Sequence, residues 1–151
     1  MAEGYGARHA SAVGIPPADG NAMIKAHRKP TVLVIDDAAA VSTTLVWVLR
    51  DSGYNCTSVA SRVEALRLCA GVAPDLALIE LDLPDGSGVD TASDLRRRVP
   101  GCKMLLMSSD PEAGDCITRA RASGLECELL PKPIPVEELL QRVKEALAQP
   151  A

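Results

Sequence analysis

From Thr31 onward, apolar and polar positions fall into a strand–helix couplet that recurs five times. "TVLVID" is a continuous apolar run with β-branched residues, the pattern of a strand covered on both faces. "AAVSTTLVWVLRDSG" follows with helical spacing: Val41, Leu45, Val48 and Leu49 share a stripe, and Gly53 supplies the stop. "NCTSVA" predicts a shorter strand, and Ser61 stands where an N-cap belongs ahead of the helix "RVEALRLCAG". "DLALIEL" predicts the third strand and "VDTASDLRRRVPG" its helix, then "CKMLLMSS" the fourth strand and "PEAGDCITRARASG" its helix. "CELLP" predicts the fifth strand. The amphipathic stretch "PVEELLQRVKEALAQ" follows, with Pro135 at its start and Glu137 and Glu138 in its first turn, both favourable at a helix N-terminus.

Apolar strands alternating with helices predict an α/β fold, a parallel sheet between two layers of helices. Ligands of such sheets gather beyond the carboxyl ends of the strands, where the strand order switches. The first strand ends in Asp36 and Asp37, and the third in Glu80, followed by Asp82 and Asp85. The fourth ends in Ser108 and Ser109, and the fifth in Lys132 before Pro133. Each has an ordinary reading alone: Asp37 capping a helix that begins near Ala38, Ser108 capping a loop, Lys132 solvated, Asp85 with Gly86 making a turn. Together they predict carboxylates, hydroxyls and an ammonium in one small volume. Crowded carboxylates raise each other's pKa unless a cation neutralises them, so a facing lysine, a divalent metal or both are expected. An oxygen-rich set of this kind suits Mg2+.

Composition narrows the picture. The chain has 151 residues, 47% of them hydrophobic, so one domain with an aliphatic core is expected; Phe is absent and aromatics are 2%. A formal net charge of −4 gives no global attraction to nucleic acid or anionic membrane. No apolar run is long enough to span a bilayer and the first thirty residues lack a secretory signal's apolar stretch, so the expected location is the cytoplasm. Five cysteines without a Cys-x-x-Cys pair indicate neither a disulfide framework nor a zinc site, and both histidines, His9 and His27, precede the first strand. Residues 1–29, rich in Gly and Pro, read as a flexible extension ending in the solvated basic stretch "KAHRK"; residues 30–148 form the domain and 149–151 a tail.

The ordered set "VLVIDD … PDLALIELDLPDGSG … LLMSS … LLPKP" resembles the receiver domain of two-component response regulators, over roughly residues 30 to 148 and in register through all five strands. The resemblance implies a flavodoxin-like, doubly wound five-stranded sheet in the order 2-1-3-4-5, flanked by five helices. It implies that an acidic pair binds Mg2+, and that an aspartate ending the third strand takes a phosphoryl group from a histidine kinase. A Ser or Thr on the fourth strand and a Lys on the fifth then contact the phosphoryl oxygens. By that resemblance Asp36 and Asp37, with Glu80 and the backbone of Asp82, match the metal site, Ser108 the hydroxyl reader, and Lys132, with a cis bond to Pro133, the signalling lysine.

Two positions depart from the family's pattern. Glu80 stands at the acceptor position in place of Asp, and Leu129 stands where an aromatic switch side chain is usual. The extra methylene moves the carboxylate by about 1.5 Å, and a displacement of about 1 Å costs on the order of 100-fold where alignment is the main catalytic device. The same methylene carries a fixed charge toward the space a phosphoryl group would fill. The expectation is an atypical, non-enzymatic receiver with Glu80 as a partial phosphomimic, signalling by protein–protein contact. Its expected partners are a histidine kinase, a phosphotransferase or a downstream effector. Asp82, two residues on, is the alternative acceptor, with Mg2+; a small phosphotransfer enzyme on the same fold is a remote alternative. The enzyme reading lacks its motifs: neither Asp-x-Asp nor G-x-G-x-x-G follows the first strand. Arg96, Arg97 and Arg98 suit a helix C-terminus, and no helix-turn-helix follows Ala148, so DNA binding is not expected. The family's usual surface, the fourth helix, fifth strand and fifth helix, here with Arg119, Arg121 and Leu129, is the expected face for docking or homodimer pairing.

Overall fold

A computed structural model describes residues 28–150, so the proposed extension lies outside the described residues except for Arg28 and Lys29. Five strands build one sheet: β1 (Thr31–Ile35), β2 (Asn55–Val59), β3 (Leu76–Glu80), β4 (Lys103–Ser108) and β5 (Glu128–Pro131). Their order is β2-β1-β3-β4-β5 and every pairing is parallel, the flavodoxin-like arrangement expected from the sequence. The helices are α1 (Ala39–Asp51), α2 (Arg62–Leu68), α3 (Gly88–Arg98), α4 (Ala113–Ala122) and α5 (Val136–Ala148).

Side chains alternate across a strand, so the sheet buries two separate cores. Leu33, Ile35, Ala77, Ile79 and Leu106 face Ala65 of α2, Leu95 of α3 and Ile117 of α4. Val32, Val34, Leu76, Leu78, Met107 and Leu130 face Leu45 and Leu49 of α1 and Leu139 and Val143 of α5. Each fully buried Leu or Ile contributes about 1.5–3 kcal/mol over its exposed state, and truncating one to Ala costs about 2–5 kcal/mol. The expectation of uniformly apolar strands fails at β2, whose Asn55, Thr57 and Ser58 are exposed. As an edge strand paired only to β1, β2 carries less of the core.

Local chemistry sets the helix ends. Ser61 caps α2 as expected: its Oγ accepts from Glu64 N at 3.2 Å, while Glu64 Oε2 accepts from Ala60 N at 2.8 Å. Ser87 Oγ likewise accepts from Val89 N at the start of α3. Asp37 does not cap α1; the N-cap is Ala38, with no side-chain cap, and Asp37 is exposed. Gly53 follows α1 at φ +98°, a conformation other residues reach only with strain. Cys56, Cys102 and Cys127 are buried, and burial pushes the Cys56 thiol pKa up to about 11.

The basic stretch before β1 is not wholly solvated. Arg28 makes a two-pronged pair with the buried Asp75, at 3.1 and 3.3 Å, and Thr31 N donates to the same carboxylate at 2.8 Å. Among the described residues, no helix is long and apolar enough to cross a membrane.

Candidate functional site

Strand alternation decides which carboxyl-edge residues meet. Asp36 lies two residues beyond Val34, Glu80 two beyond Leu78, and Lys132 two beyond Leu130, all on the side of the sheet that α1 and α5 cover. Ser108 lies two beyond Leu106, on the opposite side. Asp36, Glu80 and Lys132 accordingly converge, and Ser108 stays out of their cluster.

Lys132 Nζ donates to Asp36 Oδ2 at 2.6 Å and to Glu80 Oε1 at 2.5 Å. The remaining oxygens are also engaged: Asp36 Oδ1 accepts from Ala38 N at 2.9 Å, and Glu80 Oε2 from Asp82 N at 3.2 Å. Asp36 is 2% exposed and Glu80 8%. Burial opposes the ammonium of Lys132, but the hydrogen bonds and charges of Asp36 and Glu80 outweigh it, and its pKa is raised above that of free lysine. The backbone holds the lysine in place, since Lys132 N donates to Ser108 O at 2.8 Å, and the Lys132–Pro133 bond is cis, as the resemblance implied. Two carboxylates around one ammonium leave one negative charge over.

Other expected members are used elsewhere. Ser108, 3% exposed, accepts from Asp110 N at 3.0 Å through Oγ and so shapes the turn into α4. It lines a cleft of about 510 Å³ with Asp82, Asp110, Asp115 and Cys116. Ser109 is exposed, and Leu129 is half-buried against the core of the α2–α4 face. Asp37 makes no hydrogen bond or ion pair with any described residue. Asp82 exposes its side chain and enters the site only through its N–H.

Asp85, expected with the acidic cluster, turns instead to α2. Its two oxygens accept from Arg62 N at 2.8 Å and Val63 N at 3.0 Å, and these backbone bonds hold its carboxyl below the usual aspartate range. The Arg62 guanidinium pairs with Asp94 of α3. Sequence reasoning missed this clamp because it joins residues 23 positions apart; the only hint was the pair of bare N–H groups that any helix start presents.

Among the described residues no three Asp, Glu, His or Cys side chains converge as a metal-ligand set. The Asp36 and Glu80 oxygens are held by Lys132 and two backbone N–H groups, while Asp37 stands apart. As arranged, these residues do not fit Mg2+.

A family model described as response regulator receiver domain matches residues 32–144. The chain is 31% identical over 117 residues to the probable transcriptional regulatory protein TcrX of Mycobacterium tuberculosis, covering 78% of this chain and 49% of that protein. It is 32% identical over 119 residues to the response regulator MprA of a Mycobacterium species, covering 77% of this chain and 50% of that protein. The chain thus spans about half the length of the curated relatives it matches. Among solved structures, a two-component response regulator from Clostridium difficile aligns with a TM-score of 0.73 at 26% identity, over 80% of this chain and 98% of that one. The non-phosphorylated HemR receiver domain of Leptospira biflexa aligns with a TM-score of 0.71 at 27% identity, over 82% and 98%.

Proposed function

Because this chain belongs to the response regulator receiver domain family of two-component signalling, we propose that its Glu80 acts at the acceptor position as a built-in, partial substitute for a phosphoryl group. Receiver domains typically bind Mg2+ for phosphorylation and interact with kinases and effectors. In the proposed reading this one signals by protein contact, with little phosphoryl transfer and no catalytic turnover of its own. The observation that carries the reading is the 2.5 Å contact between Glu80 Oε1 and Lys132 Nζ. The longer acidic side chain reaches the lysine that would otherwise contact a phosphoryl oxygen. One carboxylate supplies one charge against about 1.5–2 on a phosphoryl group, so the substitution is partial.

Leu129 supports the same reading, since a half-buried aliphatic side chain has no polar tip to expose when a switch is thrown. Docking or pairing through α4, β5 and α5 remains part of the proposal, with a kinase, a phosphotransferase or an effector as partner. The test is mass spectrometry after treatment with acetyl phosphate and Mg2+. The parent takes up no phosphoryl group, and Glu80→Asp acquires one at position 80. A base-labile adduct on Glu80 of the parent overturns the reading. An adduct on Asp82 replaces it with a displaced acceptor, which the cleft shared by Asp82 and Ser108 favours.

A further inference from the structure

Two routes lead away from Glu80, and they are not equally connected. Toward α4 no bond reaches the carboxylate itself: Lys132 N donates to Ser108 O through the main chain, but the Ser108 Oγ bond goes to Asp110 N rather than to Glu80 or Lys132, and Leu129 packs in the core. Toward α2 every link is a bond. Glu80 Oε2 accepts from Asp82 N, the first residue of a small hairpin in which Asp82 pairs with Ser87 and Leu83 with Gly86. Leu81 O, at the hairpin's base, accepts from Gly88 N at 2.8 Å. At its tip, Asp85 holds the first two N–H groups of α2. The Arg62 side chain closes the arrangement: its guanidinium pairs with Asp94 of α3, and its chain passes beside Gly86.

We infer that the state of the Glu80 carboxylate is transmitted through this hairpin to the N-terminal turn of α2, with Asp85 as the positioning residue, rather than through β4 to α4. The inference rests on the reading of Glu80 given above, since it names what that charge controls. Glu80 holds the first hairpin N–H only while its second oxygen is oriented by Lys132 on the first. A change at the carboxylate alters the Asp82 N–H bond, and the hairpin's cross-strand pairing carries that change to Asp85. Hydrogen bonds are directional, so a small tilt of the Asp85 carboxylate weakens both bonds to α2 together.

The experiment is backbone amide NMR and hydrogen exchange on the full chain, comparing the parent, Glu80→Gln, Asp85→Ala and the double variant. Trp47, 69% exposed on α1 across the sheet, is a poor reporter, so the amides are read directly. Glu80→Gln should shift the Asp82, Arg62 and Val63 amides and speed exchange at Arg62 and Val63 several-fold, with Gly114 to Arg119 of α4 little changed. In the Asp85→Ala background, Glu80→Gln should still move Asp82 but no longer move Arg62 and Val63. Shifts concentrated in α4 and β5, or equal in α2 and α4, overturn the inference. The Lys132 ammonium signal separates the two ideas: if it ignores Glu80→Gln, the underlying reading of Glu80 fails. If it responds while Arg62 and Val63 do not, only the hairpin route falls.

Discussion

Strand β3 has a buried carboxylate at each end, Asp75 just before it and Glu80 as its last residue, and the two are neutralised differently. At the amino edge Asp75 meets one guanidinium and one backbone N–H. Among the described residues one acid there faces one base. At the carboxyl edge Glu80 shares a single ammonium with Asp36, so one negative charge persists in a mostly buried setting. A balanced pair holds a chain in place, whereas an unbalanced cluster stays sensitive to whatever changes its charge. The same strand thus carries a clasp at one end and a charge-unbalanced cluster at the other.

Removing the cation breaks this contrast most severely. Lys132→Met strands two carboxylates together, and a loss on the order of 3 kcal/mol in urea unfolding is expected. Because the Lys132 pKa is raised, its contribution is fully present below the ordinary lysine value of about 10.4 and fades only as pH climbs through the higher folded value. The gap between parent and variant should therefore be present at neutral pH and narrow in strong alkali; a gap absent at neutral pH contradicts the assignment. Arg28→Ala tests the clasp, and about 1 kcal/mol is expected because Thr31 N still serves Asp75 and the arginine is partly exposed. Glu80→Gln converts the carboxyl edge into a one-to-one pair like its counterpart. The lost charged hydrogen bond is offset by relief of repulsion and desolvation, for a net change under about 1 kcal/mol. Smallest of all is the response to Mg2+: with a dissociation constant above the added concentration, stabilisation stays below about 0.4 kcal/mol, readable as a thermal shift. A large shift would show that Lys132 yields its place readily.

The alternation of strands and helices was legible in the apolar runs and the strand order came with the family resemblance; the part of the site that follows from side-chain alternation was legible too. Counting by twos from Val34, Leu78 and Leu130 places Asp36, Glu80 and Lys132 on one face, and the same count from Leu106 puts Ser108 on the other. Grouping residues by strand end alone therefore overstated the cluster. Asp37 falls outside it because the chain has already turned toward α1, whose start Asp36 meets by accepting from Ala38 N. Asp85 and Arg28 were illegible for a different reason. Their partners lie 23 and 47 positions away, and no local period encodes which distant group a loop residue will reach.

Gly88 packs so tightly that a Cβ there would overlap the Glu80 carbonyl oxygen and come within 2.8 Å of Leu81 Cα. The main chain at position 80 is thereby wedged against the first turn of α3 and cannot retreat to make room for a longer side chain. Whatever reach distinguishes glutamate from aspartate must be spent inside the pocket, by the carboxylate itself. Exchanging one acid for the other is thus a change of arm length on a fixed shoulder, and a single substitution at position 80 can alter the chemistry without remodelling the scaffold.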